Sequence, residues 1–303
     1  MRSANIKAWS DNKLLASWKE AEARGLNMGE WCRENRFAIY TTIPKMHEIL
    51  LEGPKPDKSP IEIDMPSRWA VSWPSFMVVG DVQIPTTDWR LVELVAYVAE
   101  RRLKPPRRLV IAGDFNNFDA WSVYPATIPP PSWQLEKEAG RKALNRWLEV
   151  FEDIRWLFGN HERRKLRAMS AVEDEDDILN AFKAQDKRIQ VSVLDRMTID
   201  TPAGPWSILH GEDYSQNLLV KADLYAQKFQ THIAAAHAHR AGIGMDRFNR
   251  YMIASIGGLF DSAKMAYVQV GSNSKPAMAQ GFLLVEDGYP TLLSPTLTDW
   301  ERL

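Results

Sequence analysis

A short apolar run followed directly by residues that can bind metal ions occurs four times in this sequence. This pattern constrains the fold more than any other feature. The clearest run is residues 109–112, which lead directly into Gly113-Asp114. A short continuous apolar run is typical of a buried parallel strand, and open α/β sheets bind ligands beyond the C-terminal ends of such strands. The sequence therefore predicts an α/β domain whose site lies at several strand ends.

The polar residues that follow these runs form ordered blocks. A fifth block, His210-Gly211, follows two predicted strands. Carboxylate, imidazole and amide groups are ligand types for divalent metal ions. In chain order the blocks are Asp81-x-Gln83, Gly113-Asp114-x-x-Asn117, Gly159-Asn160-His161-Glu162, His210-Gly211 and His237-x-His239.

This series resembles the calcineurin-like metallophosphoesterase superfamily from about residue 75 to the C-terminus. The family pattern is Asp-x-His, Gly-Asp-x-x-Asp, Gly-Asn-His-Asp/Glu, a lone His and Gly-His-x-His. This chain departs from it at three positions, because Gln83 replaces a His, Asn117 replaces an Asp, and Ala236 replaces the Gly before the last His pair. The resemblance implies a four-layer αββα sandwich, in which two mixed β-sheets are flanked by helices.

The resemblance also implies two divalent metal ions bridged by Asp114. A mixed nitrogen and oxygen ligand set suits Mn, Fe, Zn or Co better than Ca or Mg. Gln83 offers a neutral amide oxygen where the family has an imidazole, so we expect weaker occupancy of its site and favour Mn, with Fe, Zn, Co and Ni as alternatives. One ion would be held by Asp81, Gln83, Asp114 and His239, and the other by Asp114, Asn160, His210 and His237.

Further roles follow from the same resemblance. His161 would protonate the leaving oxygen without binding a metal, and Glu162 or Asp81 would hold its proton relay. Asn117 would fix the turn around Asp114 by hydrogen bonding. The predicted catalytic residues are thus His161, Asp114 and Glu162. Arg163 and Arg164 follow the Asn160 turn at the ligand end and Arg240 follows His239, so these arginines, with Asn117, are the predicted substrate contacts.

Two other histidines are excluded from the site. His232 begins its predicted strand, at the far end from the ligands, and His47 lies in the N-terminal segment. The aromatic, Pro-rich stretch 118–133 has two open interpretations, since a loop at the ligand end of a strand either forms a wall of the site or packs on its own aromatic side chains.

Outside the blocks, the sequence predicts several elements. Residues 189–209 read as two strands joined at 201–204, and residues 215–230 as a helix. Two further strand pairs, near 248–256 and 280–294, are expected to close a second sheet.

The N-terminal residues 1–53 read as helical, with a capping box formed by Asn27 and Glu30. Residues 27–46 resemble a helix-turn-helix, but Pro44 is tolerated only in a first helical turn and so predicts a helix start near Thr42. That start makes the turn long for a DNA-binding motif and favours a packing or oligomerisation element. A Pro-rich linker at 54–68 would lead into the metallophosphoesterase domain at 69–303.

The composition of the chain limits the kinds of partner that we expect it to bind. Lys and Arg number 38 against 39 Asp and Glu, so no global field draws the chain to nucleic acid or to a membrane. Cys32 is the only cysteine, which excludes an intrachain disulfide. The N-terminus lacks an apolar signal core, and no apolar run approaches the ~18 residues of a membrane span, so we expect a cytoplasmic protein without a membrane partner.

The function predicted from the sequence is hydrolysis of a phosphodiester, either nucleic acid or a nucleotide, by a metal-bound hydroxide. A phosphomonoesterase, including one acting on phosphoprotein, is the enzymatic alternative. A DNA-binding or scaffold protein with a weakened metal site is the alternative of another class. The oligomeric state stays open.

Overall fold

The computed structural model of this protein describes residues 9–52, 69–122, 129–168, 180–182, 186–212, 215, 217–265, 278–295 and 298. The chain divides into two compact units, Met1–Met65 and Pro66–Leu303. The predicted linker at 54–68 lies outside the described residues, so the domain boundaries stay predictions. None of the described helices is long and apolar enough to cross a membrane.

Residues 9–52 of the N-terminal unit contain three helices, α1 (Asp11–Ala23), α2 (Met28–Glu34) and α3 (Ile39–Glu52). They are short, so most of their stability comes from packing a shared apolar face. That face contains Leu14, Trp18 and Trp31, together with further apolar residues of α3. The capping box is confirmed, because the Asn27 side chain accepts the backbone N–H of Glu30 and the Glu30 carboxylate accepts that of Asn27.

The predicted start of α3 near Thr42 is wrong. The helix begins at Ile39 and contains Pro44 in its interior. Proline costs about 3 kcal/mol at such a position, because it removes one backbone hydrogen bond and crowds the preceding turn. Met46 and Ile49 of the same helix are buried in the unit's core, and burying two such side chains offsets a cost of that size. Tertiary packing therefore overrides the local preference of proline.

In the described part of the second unit, the strands lie in two sheets. They are β1 (Ala70–Ser72), β2 (Phe76–Val79), β3 (Arg108–Ala112), β4 (Asp153–Leu157), β5 (Ile189–Ser192), β6 (Arg196–Thr201), β7 (Gly204–Leu209), β8 (His232–Ala235), β9 (Ala241–Met245), β10 (Met252–Ile256), β11 (Phe282–Glu286) and β12 (Tyr289–Leu293). The helices of this unit whose bounds lie within the described residues are α4 (Trp89–Arg102), α5 (Trp133–Leu148), α6 (Asn160–Ala168) and α7 (Val220–Phe229), with short 3₁₀ turns at Asp119–Trp121 and Ser262–Lys264.

The first sheet has the order β12-β11-β2-β3-β4-β5, and the second has the order β1-β6-β7-β8-β10-β9. In the first sheet β2, β3, β4 and β5 are parallel, while β11 and β12 are antiparallel additions. In the second sheet β7 and β8 are parallel neighbours, and so are β8 and β10. The second sheet also contains the antiparallel pairs β6 with β7 and β9 with β10, so both sheets are mixed, as predicted.

Side chains alternate across the buried strands and form three apolar layers. On β3, Leu109 and Ile111 pack toward α4 and α5, whereas Val110 and Ala112 pack against side chains of the second sheet. The opposite face of the second sheet packs against α7 through a smaller cluster that includes Ala226 and Ile233. The order of layers is helix, sheet, sheet, helix, which confirms the predicted αββα sandwich.

Three element predictions are corrected. Residues 189–209 form three strands, because β5 extends the first sheet beside β4 and only β6 and β7 form the predicted hairpin. The pair β11 and β12 joins the first sheet beside β2, so only β9 and β10 complete the second. The helix predicted from 215 begins at Val220, after Leu219 takes a left-handed conformation with φ of 65°. The first two corrections depend on which strands pair over long chain separations. Hydrophobic periodicity does not encode strand pairing.

Candidate metal centre

The five motif blocks lie just beyond the ends of five strands. Asp81 and Gln83 follow β2, Asp114 follows β3, and Asn160 begins α6 after β4. His210 follows β7, and the pair His237 and His239 follows β8. Parallel strands end at one edge of a sheet, so each sheet delivers its own ligand residues to one place.

The backbone of these turns is unusual. Five predicted ligands that are not glycine have a positive φ between 46° and 67°. Left-handed backbone is costly for residues with a Cβ, and such residues cluster at functional sites when the surrounding structure holds them there. The five are Asp81, Gln83, Asp114, His237 and His239.

Asp114 is the centre of the site and is only 1% exposed. Its Oδ1 accepts the backbone N–H of His161 at 2.9 Å and lies 3.3 Å from His210 Nε2. Its Oδ2 accepts the Gln83 amide at 3.3 Å and lies 3.5 Å from His161 Nε2. One carboxylate thus faces residues from both sheets.

The surroundings of His210 are the clearest observation that fits a cation in the site. Its Nδ1 is 2.8 Å from the backbone carbonyl of Ala112, which can only accept, so Nδ1 carries a proton. Nε2 then faces Asn160 Oδ1 at 3.0 Å and Asp114 Oδ1 at 3.3 Å. In the neutral ring, all three of these atoms are acceptors, and only a second proton or a metal ion between them makes the arrangement favourable.

The remaining predicted ligands form a connected group. Asp81 is fully buried, and its Oδ1 lies 2.9 Å from His239 Nε2 while its Oδ2 accepts the backbone N–H of His237. Within the described residues, Gln83 Oε1 is buried without a hydrogen-bond partner. A buried amide oxygen without a partner is costly, and a metal ion is one group that could satisfy it.

Three of these residues form a compact potential metal-binding group. One ligand atom from each of Asp114, His210 and His237 lies within 4.8 Å of the other two. The rings of His210 and His237 are 5.1 Å apart between centroids. The donor chemistry and the spacing therefore fit a divalent metal ion.

Charge distribution within the site is uneven. Burial lowers the pKa of His161 to about 4, helped by the positive charge of Arg164. Burial also opposes the charged form of His210, but Asp114 and Asp81 outweigh it and raise that pKa to about 10. Burial alone would raise the pKa of Asp114, yet its histidine neighbours hold it well below its usual range. Without a metal ion at neutral pH, the His210 ring therefore carries a second proton on Nε2, facing the Asn160 and Asp114 oxygens.

Glu162 lies beneath the site. Its carboxylate accepts the backbone N–H groups of Asp114, Phe115 and Gly159 at 2.8–3.0 Å. Burial, then the charge of Asp114, raise its pKa to about 7. The described hydrogen bonds tie together the turns after β3 and β4, and none of them links the Glu162 carboxylate to the His161 ring.

The predicted substrate contacts lie around this centre with different partners. Arg164 donates to the Asn117 carbonyl at 3.2 Å and contacts His161 Nε2 at 2.7 Å. Arg163 donates to Glu212 at 3.0 Å and to the Val193 carbonyl. The side chain of Asn117 is buried near Thr86, and Arg240 lines a pocket that also contains His210.

The described ends of the 118–133 insertion pack on their own aromatic rings. Phe118 contacts Trp121 and Trp133, and Trp133 contacts Phe182. This agrees with the packed-loop interpretation for these residues, while residues 123–128 lie outside the described part. Sequence reasoning missed Glu136, a buried α5 residue whose carboxylate accepts the backbone N–H groups of Phe118 and Asp119.

We expect Glu136→Gln to stabilise the protein above neutral pH. Burial, opposed by two backbone hydrogen bonds and helped by the charge of Asp119, raises the pKa of Glu136 to about 8. A carboxyl whose pKa rises on folding contributes stability below its unfolded value near 4.5, and this contribution is lost as the pH rises toward 8. Glutamine stays neutral, so urea unfolding at pH 8 should show a gain of about 2 kcal/mol.

At pH 4.5 the gain should be absent and Glu136→Gln should be less stable by about 1 kcal/mol, because its amide nitrogen cannot accept one of the two backbone N–H groups. Glu138→Gln is the matched control, because Glu138 is an exposed residue of the same helix and should show no difference at either pH. A gain of equal size at both pH values would contradict the assignment of a buried, neutral Glu136.

Together, the αββα sandwich and its cluster of carboxylate, imidazole and amide groups define an α/β protein with a candidate metal centre at its strand ends. This is the arrangement that the resemblance to calcineurin-like metallophosphoesterases implies. No family model matches the sequence, and a comparison with curated protein sequences gives no match.

Solved structures with a similar fold include a predicted phosphoesterase from Streptococcus pneumoniae, at 14% identity, 73% coverage of this chain, 88% of that chain and a TM-score of 0.34. A hypothetical protein from Pyrococcus horikoshii matches at 8% identity, with 74% and 87% coverage and a TM-score of 0.46. Vps29 complexed with zinc, from Entamoeba histolytica, matches at 10% identity, with 72% and 89% coverage and a TM-score of 0.37.

Proposed function

We propose that this protein is a divalent-metal-dependent phosphoesterase that acts on phosphodiesters. The observation that carries the proposal is the convergence of His210 Nε2, Asn160 Oδ1 and Asp114 Oδ1, which are all acceptors when the ring is neutral, so that a metal ion could replace the second proton of His210 among them. Phosphate esters are anionic and resist attack, so a site that concentrates cations suits their hydrolysis.

Two ions and the preference for Mn are parts of this proposal. Divalent ions held at the site would neutralise phosphate charge and supply a nucleophilic water at neutral pH. The unpartnered Gln83 Oε1 supports a ligand role for this residue despite its departure from the family pattern. One ion would be held by Asp81, Gln83, Asp114 and His239, and the other by Asp114, Asn160, His210 and His237.

We assign the proton that reaches the leaving oxygen to His161. Arg164 is always protonated, so its contact with Nε2 makes that nitrogen the acceptor and leaves the proton of the neutral ring on Nδ1. Within the described residues, Nδ1 is buried without a hydrogen-bond partner. Donation balances only from the doubly protonated ring, which an anionic ester bound beside it would favour, and it returns the ring to this neutral form. Arg164 fixes this tautomer, and Asn117 supports the arrangement by accepting from Arg164 through its carbonyl.

The test is hydrolysis of bis-p-nitrophenyl phosphate and p-nitrophenyl phosphate by metal-stripped protein supplied with Mn, Zn, Ni or Mg. We expect Mn to restore turnover, with the diester preferred. Preference for the monoester would favour the phosphomonoesterase. Absence of turnover with every metal, from folded protein, would favour the DNA-binding or scaffold alternative.

Two histidines beside the same strand provide the matched variants. His237→Asn removes a proposed ligand beyond the C-terminal end of β8 and should abolish the response to metal. His232→Asn changes a buried histidine at the other end of β8, where its ring contacts the Ala203 carbonyl and the Met252 N–H. The second variant should keep its turnover, and equal losses in both would contradict the assigned site.

A second candidate function is nucleic-acid binding by the N-terminal unit. With α3 beginning at Ile39, only residues 35–38 separate it from α2. A turn of four residues is the length typical of a helix-turn-helix, so the objection raised by Pro44 does not apply. This supports the predicted motif without distinguishing it from a packing or oligomerisation element.

A further inference from the structure

The strand β9 is an open edge of the second sheet, because in the described part of the chain it pairs only with β10. Antiparallel pairing uses the backbone groups of every second residue, and those of the other residues point away from the partner strand. The hydrogen bond from the Gly257 N–H to the Arg240 carbonyl, at the start of β9, fixes this alternation. The residues whose N–H and C=O groups point to the open edge are therefore Ala241, Ile243 and Met245.

The sequence of β9 leaves this edge without the usual protection. Natural proteins protect edge strands by short length, proline, bulges or charged side chains. Two other edges of the sheets follow this rule, since β1 has three residues and β12 contains Pro290. The five residues of β9 include no charge and no proline, and the side chains of Ile243 and Met245 are 42% and 46% exposed. An uncharged apolar edge of this kind is suited to pairing with another strand.

Contacts with α7 hold the edge in place. Gly242 and Gly244 have no side chain, and a Cβ added to either would meet the side chains of residues 218–219, just before the helix. The turn after β9 is tied to the same helix, because the Asp223 carboxylate accepts the backbone N–H and the guanidinium of Arg247. The edge is thus preorganised, and pairing would require little further ordering of the backbone.

The strand is complementary to a second copy of itself. In an antiparallel pair of β9 strands centred on Ile243, Ala241 lies opposite Met245 of the partner subunit. Each such pair exchanges two main-chain hydrogen bonds, as Ile243 does with its own copy. Arg240 and Asp246 flank the strand at equal distances from Ile243, so each Arg240 lies opposite Asp246 of the partner subunit. Parallel pairing would instead place like charges opposite each other.

This charge pattern selects the orientation of the pair and does not require a new ion pair. Asp246 is buried and accepts from Gln227, and Arg240 also keeps interactions within its own chain. Opposite charges at the two ends of the paired strands attract without direct contact, and the attraction weakens as salt is added.

We propose that β9 pairs with β9 of a second copy of this chain and forms a two-fold symmetric dimer with one sheet continuous across both subunits. A closed two-fold interface uses the same surface twice and leaves no edge open at β9. Leu218, which is exposed and lies over Gly242, adds apolar surface beside the paired strands. The proposal concerns assembly and does not depend on the proposed phosphoesterase activity.

Sedimentation equilibrium on the full chain tests whether the dimer forms. An interface built on one strand pair is at the small end of specific interfaces, so we expect a Kd of about 10 µM. Ile243→Lys places two like charges beside each other at the centre of the pair and should raise the Kd at least about 100-fold. Leu135→Lys is the control, because Leu135 is similarly exposed on α5 and its replacement should leave the Kd unchanged.

Cysteine cross-linking tests the register of the pair. Cys32 is buried and is the only cysteine, so copper phenanthroline would oxidise an added surface thiol. The Cα atoms of a hydrogen-bonded antiparallel pair are about 5.5 Å apart, within the range for a disulfide, so Ile243→Cys should give a covalent dimer. Met245→Cys is the matched control, because the two copies of this residue would lie roughly 13 Å apart along the strands and should not cross-link.

The outcomes that overturn the proposal differ between the two experiments. A chain that stays monomeric well above the expected Kd would overturn it, and so would a dimer that Ile243→Lys leaves intact, because another surface would then form that dimer. Equal cross-linking of the two cysteine variants would indicate random collision, and cross-linking of Met245→Cys alone would indicate another register. Either of these results would also overturn the pairing centred on Ile243.

Discussion

Asp114→Asn should reduce Mn-dependent turnover at least about 10³-fold, because it removes the charge that two metal ions would share. A metal ion contributes several kcal/mol of transition-state stabilisation, and each 1.36 kcal/mol is worth a factor of ten in rate. The amide is nearly isosteric and can still accept the His161 N–H that Asp114 accepts at 2.9 Å. Metal affinity, followed by calorimetry, should fall with turnover, by at least about 100-fold.

The titration of His210 provides a readout that does not depend on metal. Asp114 and Asp81 hold its pKa at about 10, so NMR of metal-free Asp114→Asn should show a lower pKa for His210. A raised histidine pKa stabilises the fold below pH 6.5, and this stability is lost as the pH rises through 10. The variant should therefore lose part of this stability at neutral pH.

Asp153→Asn is the control for Asp114→Asn. Asp153 begins β4 at the end of the sheet opposite the site, where its carboxylate pairs with Arg155. Its replacement should leave metal binding and turnover unchanged. Turnover retained in Asp114→Asn, from protein that still binds Mn, would remove Asp114 from the centre of the mechanism.

The strand ends were predictable because a buried parallel strand leaves a local signal. A short apolar run followed by Gly-Asp or Gly-Asn-His fixes both the strand and the position of its ligands. The order of strands leaves no such signal. The pairing of β11 with β2 joins segments more than 200 residues apart, and apolar periodicity does not state which partner a strand chooses.

The spacing of Glu162 in the sequence is consistent with a structural role at the start of α6. It lies three residues after Gly159, which precedes the first residue of α6, and its carboxylate accepts the Gly159 N–H. This is half of a capping box, the same spacing that correctly identified Asn27 and Glu30. The role in the proton relay of His161, which the resemblance implies for Glu162, stays a prediction beside this structural one.

The pocket that Lys221 and Tyr225 line beside His210 could not be predicted from sequence. Both fall within a predicted helix, where a lysine and an aromatic residue are ordinary. Only the position of α7 against the turn after His210 brings them to the edge of the metal centre. The tertiary arrangement of two distant segments, and no local pattern, creates the pocket.

Gly159→Ala should destabilise the metal-free protein by at least about 3 kcal/mol, the upper part of the range for overpacking a closed interior. A Cβ on Gly159 would collide with the Asp114 side chain, lie 2.6 Å from the Asp114 backbone nitrogen and lie 2.9 Å from His210 Nε2. Backbone and fully buried side chains surround it, so no flexible group can move aside. Urea unfolding measures the loss directly.

The effect would be steric and would not come from backbone conformation. Gly159 is not among the positive-φ glycines, whereas Gly113 opposite it has a φ of 81° and would combine strain with collision. Gly244→Ala is the control, since its Cβ would meet only the flexible end of Leu219 at 3.2 Å and its stability should change by less than about 0.5 kcal/mol. If Gly159→Ala kept its stability and its affinity for Mn, the turns after β3 and β4 could not be packed as described. Their close approach, which the methyl group would prevent, is what brings Asp114, Asn160 and His210 within reach of one ion.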